Sequence, residues 1–250
     1  MKGAKMIKAV MFDMDQTLLN INFNAYAMLY RNELNKLIAQ IASVSPYKIA
    51  PATVKSYASL MAKDRDHTMT NQEVFDDTFY RLTNIPLFDP KVRDAISYFE
   101  REMVPTYNNR LINAYAKEGA FSCVAEARRL GLKVVLATNP TFSPEAIECR
   151  MGWGNLDILN FDHVTHGQNS YDLKPNSRYY TDTARAIGVT PQECLMVGND
   201  PRRDIVQPNI GMQTAIVRKR FAPRAIWQGD LISLSKNLSS IVTEINGGLN

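Results

Sequence analysis

The chain is poor in the residues that build several common kinds of site. Its 250 residues include three cysteines and three histidines. The cysteines, Cys123, Cys149 and Cys194, are odd in number and far apart, which argues against a disulfide framework and against a zinc site. Cys123 and Cys194 have apolar neighbours in sequence and read as buried hydrophobes. No stretch approaches the ~20 consecutive apolar residues that a membrane span requires, and Met1-Lys2-Gly3-Ala4-Lys5 lacks the shape of a secretory signal. No membrane partner is expected, and a reducing cytoplasm is the natural compartment. Neither sign of charge dominates, with 29 Lys and Arg against 25 Asp and Glu. The formal net charge of +4 is too diffuse for the footprint of a nucleic-acid binder. The densest basic cluster, Arg218-Lys219-Arg220 with Arg224, reads as a solvated loop, with a phosphate-attracting rim as the alternative. There is no internal repeat and no low-complexity tract, and Gly247-Gly248-Leu249-Asn250 reads as a frayed tail.

What is present is the material of a globular fold: 45% hydrophobic and 22% charged residues, in a length that allows one large domain or a core with an insertion. An apolar strand, approximately Ile7 to Phe12, runs into Asp13-Met14-Asp15-Gln16-Thr17-Leu18. Residues i and i+2 of a strand share a face, so both carboxylates leave from one rim of a sheet. Close carboxylates repel, and the pair calls for a cation or a shared proton. Hard oxygen donors presented this way suit Mg²⁺, with waters and a substrate phosphate completing its shell. Taken alone, Asp-x-Asp-x-Thr reads equally well as a strand followed by a polar turn.

From about Asn20 to Lys117 the pattern is helical. Tyr30, Leu34, Leu37, Ile38 and Ile41 share one face. Pro51 is expected to open a second helix with a stripe at Val54, Tyr57, Ala58 and Met61. Thr70-x-x-Glu73 forms a capping box before Val74, Phe75, Phe79 and Leu82. Asp89-Pro90 starts a helix carrying Val92, Ile96, Phe99 and Met103, which Pro105 ends. Helix and strand then alternate. Helices are expected at about Ala120–Leu130 (stopped by Gly131), Pro144–Met151, Pro175–Ile187 (before Gly188) and near Ile205. Strands are expected at Lys133–Ala137, Phe161–Thr165, Cys194–Val197 and Gln213–Val217, with a short last one at Leu231–Ile232. Repeated βα units imply a doubly wound parallel sheet with helices on both faces, interrupted after its first strand by the helical insertion.

Ligands of such sheets bind outside the carboxyl ends of the strands. The residues standing there are Asp13, Asp15 and Thr17, then Thr138 and Asn139, then Lys174 in Asp172-Leu173-Lys174-Pro175, then Gly198-Asn199-Asp200 with Asp204 four residues on. In this order the four blocks resemble the four motifs of the haloacid dehalogenase-like superfamily, and the helical insertion resembles that superfamily's C1-type cap. The resemblance spans the whole chain and implies a Rossmann-like α/β core of residues 1–19 and 118–250, with a helical cap of residues 20–117. By resemblance Asp13 is the nucleophile that forms an aspartyl-phosphate. Asp15 protonates the leaving oxygen and then activates water. Mg²⁺ is held by Asp13, the backbone carbonyl of Asp15, and Asp200, with Asp204 in support. Lys174 offsets the crowded negative charge, and Thr138, Asn139 and nearby backbone N–H groups bind the phosphoryl oxygens.

Each residue also has a plainer reading. Thr138 can cap a turn, Lys174 can be an exposed loop lysine, and Asp204 can cap a short helix. Asp13 has the weakest plain reading, since an unpartnered carboxylate at the end of an apolar strand is costly. Two positions depart from the family pattern. Gln16 stands where glycine is commonest, which matters if the position needs positive φ. Asn199 precedes the acid, so Gly198 sits one place early. Asp15 separates reaction classes: the superfamily's dehalogenases and phosphonoacetaldehyde hydrolases lack an acid there, so a carboxylate favours phosphoryl transfer to or from oxygen. The resemblance places selectivity in the cap, which favours a small phosphorylated metabolite as partner. Arg65, Asp66 and His67 are the cap's candidate contacts, with a solvated connection as the alternative. The expected activity is a Mg²⁺-dependent phosphatase. A phosphomutase of the β-phosphoglucomutase type and a non-catalytic binding protein are the alternatives, and no oligomeric state is assigned.

Overall fold

The computed structural model describes residues 6–205, 210–218 and 222–247. Six parallel strands form the central sheet. These are β1 (Ala9–Phe12), β4 (Lys133–Leu136), β5 (His163–Val164), β6 (Cys194–Gly198), β7 (Gln213–Val217) and β8 (Trp227–Gly229), in the order β5-β4-β1-β6-β7-β8. Counted along the chain this is the doubly wound order 3-2-1-4-5-6, whose direction reverses beside the first strand. Every residue of β1 is buried, and alternation sends the side chains to two cores. Val10, Phe12, Val134, Leu136, Leu195 and Val197 face one, and Ala9, Met11, Val135, Cys194 and Met196 face the other. A sheet covered on both faces needs such continuous apolar strands. The first core is closed by α5 (Ala120–Arg129) and α8 (Leu231–Gly247), which pack on each other. The second is closed by α7 (Ser177–Ala186) through Tyr179, Tyr180 and Ala184. Gly119, at φ +84°, permits the α5–α8 contact: a Cβ there would stand 2.6 Å from the Ile232 nitrogen.

Two expectations are corrected at this level. Leu231–Ile232 is not a last strand but the first turn of α8, whose buried positions Leu231, Leu234 and Leu238 keep the helical period. Asp230 caps that helix by accepting from the Ser233 N–H, and the last strand is β8. Pro51 does not open the second helix. Ser45 caps it, Pro46 is its first residue and Pro51 lies inside α2 (Pro46–Ser59). The proline leaves the Tyr47 carbonyl without its helical donor, at a residue 90% exposed, where solvent has access to it. The buried face of α2 is accordingly Ile49, Ala52, Thr53 and Ser56, with Val54 and Met61 exposed.

The remaining insertion comprises α1 (Phe23–Ile41), α3 (Asn71–Thr83), α4 (Pro90–Tyr98), a π turn at Phe99–Met103 and a 3-10 turn at Val104–Tyr107. The Thr70–Glu73 capping box and the Asp89 cap with Pro90 form as expected. The chain leaves and re-enters through an unanticipated ribbon, in which β2 (Leu19–Asn20) pairs antiparallel with β3 (Tyr115–Ala116). The helical layer rests on the loops that follow β4 and β5. Asn71 Nδ2 donates to the Pro140 and Asp172 carbonyls, and the Gln72 N–H donates to the Gly167 carbonyl. Ser97 also bonds Glu145 of α6 (Pro144–Trp153). Pro201–Ile205 forms turns, and residues 206–209, on which the short helix expected near Ile205 also falls, lie outside the described residues. Met1–Lys5, Lys219 and Arg220 of the basic cluster, and the tail from Gly248 lie outside the described residues. Among the described residues no helix is long and apolar enough to cross a membrane, and all three cysteines are free thiols.

Candidate active site

Backbone pairing sets the ends of three strands level. The Asp13 N–H donates to the Val197 carbonyl at 2.8 Å, and the Ala137 N–H donates to the Phe12 carbonyl at 2.7 Å. Asp13 therefore stands at the carboxyl end of β1, in the crevice beside β6 where the strand order reverses. Its carboxylate is 8% exposed as a residue and is held from both sides: Lys174 Nζ donates to Oδ1 at 2.9 Å, and Thr17 Oγ1 donates to Oδ2 at 2.8 Å. The same ammonium donates to Asp204 Oδ1 at 2.8 Å. Asp204 Oδ2 in turn accepts the backbone N–H groups of Asn199 (3.0 Å) and Asp200 (2.9 Å). Burial raises the Asp13 carboxyl to about 6, against the pull of Lys174 and with added push from Asp204 and Asp15. Burial pulls Lys174 down, but Asp13 and Asp204 carry it well above its ordinary value, so the ammonium stays charged. Lys174 is a buried bridge, and Asp204 anchors the β6 turn to it.

Asp15 follows at the next position on the same rim. Asp15 Oδ2 accepts from Arg150 Nη1 at 2.5 Å, an ion pair that sequence reasoning missed. The signal for it was a charged residue on the buried face of α6, in line with Ala146 and Ile147. Gln16 adopts φ +64°, so the position does need the left-handed region, at a cost of roughly 1 kcal/mol for a side chain other than glycine. Its amide donates to the Ile21 carbonyl, which ties the strained turn down, and the Thr17 hydroxyl keeps its contact with Asp13.

Thr138 is 2% exposed. Its carbonyl accepts from Thr165 Oγ1 and Tyr179 Oη, both at 2.8 Å, which fixes the backbone just past β4. Asn139 Oδ1 accepts the Lys174 N–H at 3.2 Å, joining the second and third blocks. The fourth block differs from expectation. β6 ends at Gly198, and the side chain delivered to the Thr17–Asp13 pair is Asn199, whose Oδ1 lies 3.3 Å from Thr17 Oγ1 as the longer, second acceptor for the one hydroxyl proton. Asp200 turns away, with Oδ1 accepting the Arg202 N–H at 3.0 Å and Oδ2 at 3.9 Å from Arg203. Among the described residues no three carboxylate, histidine or cysteine side chains converge as a metal cage. Gly198 permits the close approach of Asp204 to the end of β6, since a Cβ there would lie 2.2 Å from Asp204 Cγ. The donor set still fits a hard cation. Asp13, Asp15 and Asp204 outnumber Lys174 and Arg150, and the oxygens near Asp13 include the Asn199 amide carbonyl.

The cap's candidate contacts have local partners. Arg65 is buried and donates to the Leu60 carbonyl and to Asn71 Oδ1, which orients the residue that grips the core. Asp66 closes a local turn with Thr68, and His67 makes no hydrogen bond through its buried Nδ1. An open groove of ≈ 660 Å³ instead runs beside Asn199, lined by Gln16, Lys117, Arg218 and Asp230 among others.

Residues 7–206 match the haloacid dehalogenase-like hydrolase family. The pyrophosphatase PpaX of Bacillus cereus is 24% identical over 219 residues, which covers 88% of this chain and 87% of the relative. Among solved structures, a HAD phosphatase from Thermococcus onnurineus superposes with a TM-score of 0.55 at 18% identity, over 93% of this chain and 98% of that one. The HAD-hydrolase YfnB of Bacillus subtilis, bound to magnesium, gives 0.50 at 16% identity, over 95% and 99%.

Proposed function

Since the chain belongs to the haloacid dehalogenase-like hydrolase family, we propose that it is a phosphatase that hydrolyses the phosphate monoester of a small metabolite through an aspartyl-phosphate. The observation that carries this reading is the Thr17–Asp13–Lys174–Asp204 chain at the switch point, with a second carboxylate, Asp15, two residues on. Asp13 Oδ attacks phosphorus, and the bond to the ester oxygen breaks with its electron pair going to that oxygen. Asp15, as the acid, gives that oxygen its proton. Asp15, now a carboxylate, takes a proton from water as the water oxygen attacks the phosphoryl group. The bond to Asp13 breaks and inorganic phosphate leaves. Lys174 keeps Asp13 ionised despite burial, and Thr17 orients it. The backbone beyond β4, pinned through the Thr138 carbonyl, supplies N–H groups for the phosphoryl oxygens.

Mg²⁺, when bound, neutralises charge on the nucleophile and phosphoryl group. Asp13, the Asp15 carbonyl and an oxygen of the β6 turn would hold it. Asn199 is the better placed of the two residues there, and Asp200 is the acidic alternative. Residues 20–117 act as the cap, with 1–19 and 118–250 as the core. The groove beside Lys117 and Arg218 suits an anionic substrate. Free thiols suit a reducing, cytoplasmic setting.

A panel of small phosphorylated metabolites with an aryl phosphate control, with Mg²⁺ and with chelator, tests the assignment. Phosphate release that needs the metal is expected. Halide release from 2-haloacids at a comparable rate would overturn it, and isomerised sugar phosphate without free phosphate would move the chain to the mutases.

A further inference from the structure

Arg150 is among the largest fully buried side chains of the protein, and neither the family match nor the four sequence blocks gives it a task. It sits where the core meets the helical layer. Its guanidinium carbon lies 4.8 Å from the centre of the Phe142 ring, 5.2 Å from that of Tyr26 and 5.5 Å from that of Phe23. Phe142 belongs to the loop after β4, whereas Tyr26 and Phe23 belong to α1 of the insertion. Burial pulls the guanidinium down, but Asp15, Tyr26 and Cys149 together hold it above its ordinary value. It therefore remains a cation inside an aromatic box, where cation–π attraction and the single carboxylate are its compensation.

The pairing is one-sided. Arg150 Nη1 grips Asp15 Oδ2, and Nε reaches the Ala146 carbonyl at 3.4 Å. Asp15 Oδ1 and Arg150 Nη2 are buried and make no hydrogen bond with any described residue. A carboxylate held by one oxygen only has its other oxygen oriented and unspent. Arginine–carboxylate pairs are frequently bidentate, because the fork matches both oxygens.

We propose that Arg150 is a positioning residue for the reaction: it fixes Asp15 through Oδ2 so that Oδ1 is the atom that hands a proton to the leaving oxygen and takes one from water. Because two of the three rings around the guanidinium come from α1, the grip depends on that helix lying against the core, which couples the acid to the seating of the cap. The inference rests on the phosphatase reading above.

The test compares kcat/KM for 4-nitrophenyl phosphate, whose leaving group needs no proton, with kcat/KM for a simple alkyl phosphate, whose leaving group does. This parameter reports the steps up to loss of the leaving group, so Asp15 as acid bears on the second ester alone. In Arg150→Met the alkyl value should fall by roughly 10²-fold, at the lower end of general-acid contributions, and the aryl value by less than about tenfold. Arg150→Lys should recover part of the alkyl loss. Phe23→Leu, which opens the box without touching the charge, should give the same bias in milder form and serves if Arg150→Met fails to fold. Equal losses on both esters in Arg150→Met, or in Phe23→Leu if that protein alone folds, would mark a purely structural residue and overturn the proposal. Failure of the unaltered protein to hydrolyse either ester would refute the phosphatase reading instead, and this proposal with it.

Discussion

Asp13 is a carboxylate that its surroundings both resist and require. Burial lifts it to about 6, and the Lys174 ammonium, shared with Asp204 at 2.9 and 2.8 Å, is what the fold offers in return. Asp15 is held differently, by a cation that meets only one of its oxygens. Asp15→Asn keeps the shape and removes the proton. We expect kcat to fall by roughly 10²–10⁴-fold, measured as phosphate release, and the melting temperature to fall as well, because buried Arg150 loses the charge of its carboxylate partner. At the fourth block the residue facing the nucleophile is neutral. Asn199→Asp should therefore lower the Mg²⁺ concentration for half-maximal activity by roughly tenfold, the effect of one added charge close to the ion. Asp200→Ala, on the far side of the turn, should shift it by no more than about threefold. A Mg²⁺ titration showing the reverse ranking would return the ligand role to Asp200.

The strand ends carried most of what was legible at the scale of elements. Asp13 and Thr138 were singled out because a polar residue just past an apolar β run has few structural uses, and Lys174 and Asp204 because they follow in the loops beyond the next strands, in the order of the family's motifs. Asn199 was passed over in favour of Asp200 because spacing along a chain does not report how many residues a strand contributes before it turns. Here β6 runs through Gly198, whose missing side chain lets Asp204 pack against it. Arg150 was hidden because the helical pattern of Pro144–Met151 was read for its apolar residues alone. The two-residue strands of the ribbon, Leu19–Asn20 and Tyr115–Ala116, are too short to leave any periodicity. Glu100, on the π turn, was missed for a similar reason. It is 2% exposed, accepts from the Tyr30 hydroxyl, and is raised to about 7 by burial, with Ser143 and Arg93 opposing and Glu145 reinforcing. In the unfolded chain it ionises near 4.5, so between about 4.5 and 7 the native state holds the extra proton and stability falls as pH rises, by up to about 3 kcal/mol. Glu100→Gln should thus raise the melting temperature at pH 8 and leave it nearly unchanged at pH 4.5. An equal gain at both values would show that the carboxyl is not held protonated.

Over the whole molecule, a 3-2-1-4-5-6 sheet presents its switch point to a helical layer that re-enters through the β2–β3 ribbon. The doubly wound core and the insertion after β1 were readable from alternating βα periodicity. The seating of the insertion was not, because it depends on long-range contacts such as Asn71 with Pro140 and Asp172 and on the aromatic box around Arg150. If that layer is a cap, structures with and without an aluminium fluoride mimic should differ by a rigid-body rotation about the ribbon, with the helices internally unchanged. Identical placement in both would leave selectivity to the core loops. In the proposed reaction Asp13 carries the phosphoryl group between two half-reactions. Mass spectrometry of the protein acid-quenched during turnover of an aryl phosphate with Mg²⁺ tests it most directly. One added phosphoryl group is expected on the peptide containing Asp13, enriched in Asp15→Asn and absent in Asp13→Asn. Steady turnover by a folded Asp13→Asn protein, or the group found on another residue, would contradict it.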